Sequence, residues 1–316
     1  MGNKLQKMRN VKILGYGTYL PEGKITFGDQ TRYRCGTETQ IDMAVEAGNR
    51  ALEKAGLTIN DIDLIISANA VCVQLIPCTA ALIHERMTAD LNLPAFDVNS
   101  SCTSFITAFE IAANYIELGQ YRNILIISAE RASTGLNPDQ KESYELFSDG
   151  AAAVVLTEAE REDQGVIAAV QKTFSAGAHA TEIRAGGTRM PGYDYTPDKK
   201  SEYLFDMKGK QILVTTLKCL PPVFERFFEE TGIGIDDIDL VIPHQASRAL
   251  SLMMERLQIP KEKYINWVSD YGNMVSASVP YVLCKVLEQG SVKEGDLVML
   301  CGTAAGLTIN ALMLRL

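Results

Sequence analysis

The chain has 316 residues, 47% of them apolar and 22% charged, so it carries ample apolar surface for a large core and is not a disordered polypeptide. That length fits two domains or two linked halves. The formal net charge of −9 argues against a nucleic-acid binder that works by neutralising phosphates, and no stretch approaches the roughly 18 consecutive apolar residues of a membrane span.

In chain order, the polar opening Met1–Lys7 precedes a strand-like run, Val11–Leu14. This pattern predicts no signal peptide and a cytoplasmic protein. Gly2 is a weak lipidation cue, set aside because Gln6 stands where a Ser or Thr is expected. A helical pattern over Ile41–Ala55 stops at Gly56, where the left-handed C-cap conformation costs glycine little. An Asp-rich turn then leads into an apolar strand ending at Ile66. Phe96–Val98 reads as a short strand feeding a helix over Cys102–Leu118, which stops at Gly119 before the strand Asn123–Ser128. Asp149-Gly150, between Phe147 and the apolar run Ala151–Leu156, predicts a turn into a strand. The polar stretch Arg184–Lys200, with Gly186-Gly187, Pro191-Gly192 and Pro197, predicts an exposed loop or lid.

The second half repeats the order of the first. A helix over Ile212–Thr231 stops at Gly232, and an Asp-rich turn leads into the strand Leu240–Ile242. Ile265–Val268 reads as a strand, followed by a helix from Ser276 to Leu287 that stops at Gly290 and by the strand Leu297–Cys301. The segments starting at Gly56 and Gly232 share the run Gly, Ile, Asp, Ile, Asp, Leu and lie 176 positions apart. Apolar strands alternating with helices imply sheets covered on both faces. The expected architecture is therefore a duplicated α/β fold, residues 1–160 forming one half and 161–316 the other.

Seven cysteines (Cys35, Cys72, Cys78, Cys102, Cys219, Cys284 and Cys301) make an odd number, with no CxxC pair. A disulfide framework is not expected, and with three histidines (His84, His179 and His244) neither is a zinc site. Cys102 stands where a buried strand meets a helix, among small polar residues. There the helix dipole should lower its pKa and favour the thiolate, although a structural buried cysteine fits the local sequence as well. His244 follows the strand Leu240–Ile242, and Asn273 lies in a Gly-Asn turn before a helix. A cysteine, a histidine and an asparagine on one rim form a possible nucleophile with a polar pair for a thioester oxygen. His84 and His179 have no motif around them, and the other six cysteines read as small core or surface residues.

The residues Leu14–Pro21, Pro94–Val98 leading to Cys102, Phe147–Val154, Pro243–Ala246, and Gly272-Asn273 with Ser276–Pro280 occur in the order and spacing of a known family. By these motifs the chain resembles β-ketoacyl-acyl carrier protein synthase III, of the thiolase superfamily. The resemblance implies a thiolase-like, five-layered αβαβα sandwich and a homodimer. It also implies an acyltransferase that condenses an acyl thioester, from acyl-CoA or acyl carrier protein, with malonyl-acyl carrier protein. The reaction is a decarboxylating Claisen condensation through an acyl-cysteine, as in fatty-acid or polyketide-type biosynthesis. The nucleophile falls on Cys102, with His244 and Asn273 as donors to the enolate oxygen and backbone N–H groups of Cys102 and Ala305 as a second oxyanion hole. Ile76 falls where the acyl pocket is walled across the dimer, and Lys141 where a residue contacts the CoA adenine. Met207 and Gly209 fall beside the pantetheine tunnel, flanking Lys208 with Lys210, and Ser247 and Arg248 fall where a carrier protein docks. No metal and no cofactor beyond the CoA or phosphopantetheine substrates is implied, and neither nucleic acid nor membrane.

Three departures from the family pattern bear on substrate use. The segment between Pro21 and Ile41 is short where the family holds the CoA nucleotide, and Thr31–Arg34 is its candidate remnant. The C-terminal turn reads Cys301-Gly302-Thr303-Ala304-Ala305-Gly306, with alanine at two glycine positions. If either position needed a positive φ, alanine there would cost about 1 kcal/mol. Leu75-Ile76-Pro77 carries Ile76 where an aromatic is common, which points to a longer or branched acyl group. Acyl transfer to a non-malonyl acceptor and a non-catalytic partner subunit are the competing readings.

Overall fold

The computed structural model describes residues 8–316; the Met1–Lys7 segment, with its Gly2 cue, lies outside the described residues. The strands of the first half are β1 (Val11–Tyr19), β2 (Gly23–Phe27), β3 (Gln30–Arg34), β4 (Leu64–Ser67), β5 (Ala95–Asp97), β6 (Ile124–Glu130) and β7 (Gly150–Glu158). Those of the second are β8 (Gly165–Thr173), β9 (Thr181–Glu182), β10 (Asp206–Met207), β11 (Leu240–Pro243), β12 (Leu297–Ala304) and β13 (Thr308–Arg315). The helices are α1 (Gln40–Ala55), α2 (Thr79–Thr88), α3 (Ser104–Glu117), α4 (Lys141–Tyr144), α5 (Gly209–Thr231), α6 (Leu250–Arg256), α7 (Val268–Tyr271) and α8 (Ser278–Glu288).

Two mixed sheets organise the molecule. The first has the order β1-β7-β6-β4-β5 and the second β11-β12-β13-β8. Helices α1 and α2 cover the outer face of the first sheet, α3 and α8 pack between the sheets, and α5 covers the outer face of the second with α6 against it. The layers therefore run αβαβα. The sandwiched layer is almost wholly apolar: Phe105, Ile106, Phe109, Val279, Val282 and Leu283 of α3 and α8 share one buried cluster with Ile126, Val154, Leu300 and Leu312 of the two sheets. A helix that is apolar all round is what a layer between two sheets demands. Among the described residues no helix is long and apolar enough to cross a membrane.

The repeated segments fold alike. Gly56 ends α1 at φ +69° and Gly232 ends α5 at φ +68°, the left-handed cap expected of both. Each is followed by a 3-10 turn, Ile59–Asp61 or Ile235–Asp237. The carboxylates of Asp61 and Asp237 close these turns, accepting the backbone N–H of Thr58 and Gly234, both at 2.8 Å. Each turn delivers the chain into a parallel strand, β4 or β11.

Two expected elements differ. Ile265–Val268 is not a strand: only Tyr264 bridges to Val241, and Val268 opens α7. The Gln245 side chain takes the hydrogen bonds that a neighbouring strand would have made, donating to Ile265 O at 3.2 Å and accepting from Trp267 N at 2.8 Å. Asp149-Gly150 is not a turn tip either. Gly150 starts β7, and the buried Asp149 carboxylate accepts Cys35 N, Ser133 N and Ser133 Oγ at 2.7–2.8 Å, bracing the chain ahead of the strand.

Candidate active site

Cys102 lies in a 3-10 turn, Ser101–Thr103, between β5 and α3. The residue before it, Ser101, sits at φ +57°, which a non-glycine residue adopts only when its surroundings impose it. Side-chain hydrogen bonds do so here. Ser101 N donates to Asn99 Oδ1 at 2.9 Å, Ser104 Oγ donates to Ser101 O at 2.6 Å, and Asn99 Nδ2 ties the turn to Ala70 O at 3.0 Å.

His244 comes from the end of β11. Its N–H donates to Cys301 O at 2.7 Å, extending the parallel pairing with β12 by one residue. Gly302 is what lets the two loops meet, because a Cβ there would lie 2.7 Å from His244 Cβ and 3.4 Å from Thr103 Cγ2. Asn273 is held at its backbone by the Phe147-Ser148 segment: Asn273 N donates to Leu146 O at 3.0 Å and Ser148 N to Asn273 O at 2.9 Å. One side-chain N–H donates to Ala246 O at 3.1 Å, two residues beyond His244, and Oδ1 accepts Val275 N at 2.7 Å. The second amide N–H of Asn273 remains for a ligand. Thus the loops of Cys102, His244 and Asn273 come together, and the turn after Asn273 packs on the turn of Cys102.

The electrostatics depart from the expectation. Burial pushes the Cys102 thiol up to about 11, against the pull of the Ala305 backbone N–H, and the nearby Glu130 carboxylate pushes it the same way as burial. A lowered pKa was expected from the helix dipole, but α3 begins only at Ser104 and desolvation outweighs what reaches the turn. Burial also holds His244 down to about 4, so its imidazole is neutral at pH 7; Nδ1 is enclosed without a partner. A neutral imidazole can donate one N–H to a ligand and carries no charge that would draw a proton from Cys102 outright.

The substituted C-terminal turn is unstrained. Neither Ala304 nor Ala305 has a positive φ, whereas Gly306, where glycine is kept, has φ +108°. The feared cost of alanine is absent, and the Ala305 N–H faces the Cys102 sulfur. The outer residues are placed as follows. Ile76 is 85% exposed and Leu75 70%, on the loop between β4 and α2. Lys141 opens α4 and faces solvent, 3.7 Å from Glu145. Met207 N donates to Gln140 Oε1 at 3.0 Å, and Gly209 starts α5 where a Cβ would meet the Glu142 carboxylate at 2.7 Å. Ser247 Oγ accepts Ala249 N at 3.1 Å, and Arg248 is exposed. Lys208 donates to His179 O at 3.0 Å, and His179 pairs with Glu182 at 2.8 Å.

Thr31–Arg34 lies in strand β3 of a hairpin with β2. Arg32 is fully buried, its guanidinium donating to Glu145 O at 2.7 Å, Thr31 O at 2.6 Å, Ser269 O at 3.1 Å and to Gln30 Oε1. It ties the hairpin to α7. One residue of the site was missed in the sequence. Glu130 is a fully buried acid beside Cys102, and its signal was a lone carboxylate ending the apolar run Ile124–Ala129. Gly302 was read only as part of the C-terminal turn; its contact with His244 depends on β11 lying beside β12.

Comparison with known proteins identifies relatives of the whole chain. A family model for 3-oxoacyl-[acyl-carrier-protein] synthase III matches residues 96–180, and its C-terminal counterpart matches residues 228–316. The chain is 35% identical to the β-ketoacyl-[acyl-carrier-protein] synthase III of Clostridium perfringens, over 98% of this chain and all of that one. It superposes on the crystal structure of 3-oxoacyl-[acyl-carrier-protein] synthase III from Aquifex aeolicus with a TM-score of 0.86 at 30% identity, covering 97% of this chain and 100% of that one. The priming β-ketosynthase of the R1128 polyketide pathway gives the same TM-score at 26% identity, covering 100% and 99%. The thiolase-like α/β fold expected from the motifs is the fold observed.

Proposed function

The chain belongs to the β-ketoacyl-acyl carrier protein synthase III family, and from that premise we propose that it condenses an acyl thioester with malonyl-acyl carrier protein, with loss of CO2, through an acyl-Cys102 intermediate. The observation that carries this reading is the convergence of Cys102, His244 and Asn273, two neutral donors beside a nucleophile.

The chemistry follows from the groups present. The Cys102 sulfur attacks the acyl thioester carbonyl, and the departing thiolate of CoA or carrier phosphopantetheine leaves with the proton that Cys102 gave up. During that attack the carbonyl oxygen becomes an oxyanion, for which the Ala305 and Cys102 backbone N–H groups are the donors. Malonyl carrier then enters, the bond to its carboxylate breaks, and CO2 departs, leaving the electron pair as an enolate. His244 and the free N–H of Asn273 donate to the enolate oxygen. Each such donor is typically worth about 3 kcal/mol. The enolate carbon attacks the acyl-Cys102 carbonyl, a carbon–carbon bond forms, the Cys102 thiolate leaves, and a proton from solvent restores the thiol. No metal or redox cofactor enters these steps.

Substrate contacts follow the same reading. Ile76 closes the acyl pocket across a homodimer, and its exposure with that of Val71, Val73 and Leu75 supports a covered face there. Met207 and Gly209 flank the pantetheine path, Lys141 stands near the nucleotide end, and Ser247 and Arg248 meet an acidic carrier. Docking is local, so the net charge of −9 does not oppose it.

Intact-mass spectrometry with acyl-CoA and acyl-carrier donors, followed by release of labelled CO2 from malonyl carrier, tests the proposal. An adduct is expected on the native chain and none on Cys102→Ala. His244→Ala and Asn273→Ala should still be acylated but release CO2 about 100- to 1,000-fold more slowly. An adduct surviving Cys102→Ala overturns the nucleophile. Acylation without CO2 release makes the chain an acyltransferase to another acceptor, and no adduct with any donor makes it a non-catalytic partner.

A further inference from the structure

Arg32 is fully buried, and every group it donates to is neutral. Burial lowers its pKa only to about 10, so the guanidinium stays charged at pH 7. A buried charge with neutral partners is costly, and charge-assisted hydrogen bonds are what offset the cost. Two of the acceptors lie on segments that meet at Asn273. Glu145 O, which takes Nε at 2.7 Å, precedes Leu146, whose carbonyl accepts Asn273 N at 3.0 Å. Ser269 O, which takes Nη1 at 3.1 Å, lies in α7, just ahead of Asn273. The remaining acceptors, Thr31 O and Gln30 Oε1, belong to the hairpin itself.

Tyr33, the next residue of β3, repeats the bridge. Its N–H donates to Ser148 Oγ at 3.0 Å, its carbonyl accepts Asp149 N at 2.9 Å, and its ring stacks on Tyr271 with centroids 6.0 Å apart. Gly272 stands where the clamped segments meet, at φ +70°; a Cβ there would lie 2.6 Å from Arg32 Cδ and 2.7 Å from Leu146 O. Asn273 is therefore fixed from both sides. Beyond it, Met274 N donates to Ser278 Oγ at 2.9 Å, and the start of α8 holds the chain. Before it, α7 is only four residues long, and β3 holds that short helix to the Glu145–Ser148 segment. The turn of Cys102 is built from other contacts, those of Asn99, Ser104 and Ala70.

We propose that Arg32 is a positioning residue for the decarboxylation step: by clamping Glu145 to Ser269 it sets the free side-chain N–H of Asn273 where the enolate oxygen forms, and it leaves the reactivity of Cys102 alone. The proposal rests on the reading of Asn273 as a donor to that oxygen. Arginine suits the task because its planar fork presents several N–H donors in fixed directions, whereas a lysine ammonium brings its protons to one point. The placement matters because a misplacement of about 1 Å, caused by a residue away from the chemistry, costs about 100-fold in rate.

The test is a double-mutant cycle between Arg32→Lys and Asn273→Ala, read by release of labelled CO2 from malonyl carrier. Alkylation of Cys102 by iodoacetamide, which needs no acyl donor, measures whether the nucleophile is intact. Arg32→Lys should slow CO2 release about 10- to 100-fold at saturating malonyl carrier, with the alkylation rate unchanged. In the Asn273→Ala background the same substitution should change the rate by less than about twofold, because the group it displaces is already gone. Equal slowing in both backgrounds makes Arg32 a merely structural residue and overturns the proposal. So does an Arg32→Lys chain that releases CO2 at the native rate, or one whose alkylation slows in step with CO2 release. If the native chain releases no CO2, or Asn273→Ala releases it at the native rate, the reading of Asn273 is what fails, and the role of Arg32 falls with it. Should Arg32→Lys fail to fold, Gln30→Ala decides, since it removes one acceptor of the fork and leaves the backbone carbonyls. With asparagine side-chain amides isotope-labelled, the Asn273 resonances, recognised by their absence from Asn273→Ala, should move in Gln30→Ala; resonances that stay in place overturn the proposal.

Discussion

At the residue scale, the site is a set of ionisable groups kept neutral by burial. His244 shows what that does to stability. Its folded pKa, near 4, lies below the ordinary 6.5. Its burial therefore costs nothing above about pH 6.5 and opposes folding progressively as pH falls through 4, because the unfolded chain takes up the proton first. From pH 7 to 4.5 this should remove about 2 to 3 kcal/mol of unfolding free energy. Urea denaturation of the native chain and His244→Asn at the two pH values should show that loss in the native chain and not in the variant; equal losses would remove His244 as the cause. Glu130 has the opposite sign, its contribution being lost as pH rises through about 7. The three residues of the proposed chemistry were named from the sequence because each sits in a short motif at an element junction and the family resemblance places its roles there. Glu130 was not singled out, because a carboxylate at a strand end is usually exposed, and only the loops of Ala70 and Ser276 closing over it make it a buried acid.

At the element scale, the repeat is the feature that sequence reads best, since a glycine cap, an Asp-closed turn and an apolar strand are all specified within a dozen or so residues. Gly232 has φ +68° and open space around a Cβ position. Gly232→Ala should therefore cost about 1 kcal/mol of unfolding free energy from the left-handed backbone alone, with Cys102 acylation unchanged. Chemical denaturation with the acylation assay checks both parts, and a neutral substitution would mean that the cap is not held left-handed in solution. The strand read at Ile265–Val268 failed for a reason of the same scale. Its apolar residues suit a strand, but the Gln245 side chain, distant in sequence, satisfies its backbone and lets α7 begin. The Asp149-Gly150 pair likewise has turn chemistry, yet the aspartate is spent on Cys35 and Ser133. In the first case a side chain from another loop takes over hydrogen bonds that the local pattern assigns to the backbone; in the second the segment's own side chain is drawn to other loops.

At the scale of the whole molecule, the loop bearing Val71, Val73, Leu75 and Ile76 exposes four large apolar residues in one short stretch. A patch of this kind marks a surface covered by a partner, and under the proposed function that partner is a second copy. Light scattering coupled to gel filtration should give a dimer for the native chain and a monomer for the double variant Leu75→Asp with Ile76→Asp. The same variant should lose acyl-chain selectivity while Cys102 remains alkylatable. A native monomer, or a double variant that stays dimeric, would move the interface elsewhere.

The sequence by itself determined the repeated run of glycine-capped helix, Asp-closed turn and apolar strand, because these depend on neighbours within a few positions along the chain. The tertiary structure alone decided what lies between those loops. It set Gly302 against His244 and Thr103, turned Arg32 inward, kept Ala304 and Ala305 free of strain, and enclosed Glu130 beside Cys102. Each of these rests on close approach of segments far apart in sequence, and on the loss of water that follows. That desolvation, absent from any local pattern, is what raises Cys102 where the helix dipole alone would have lowered it.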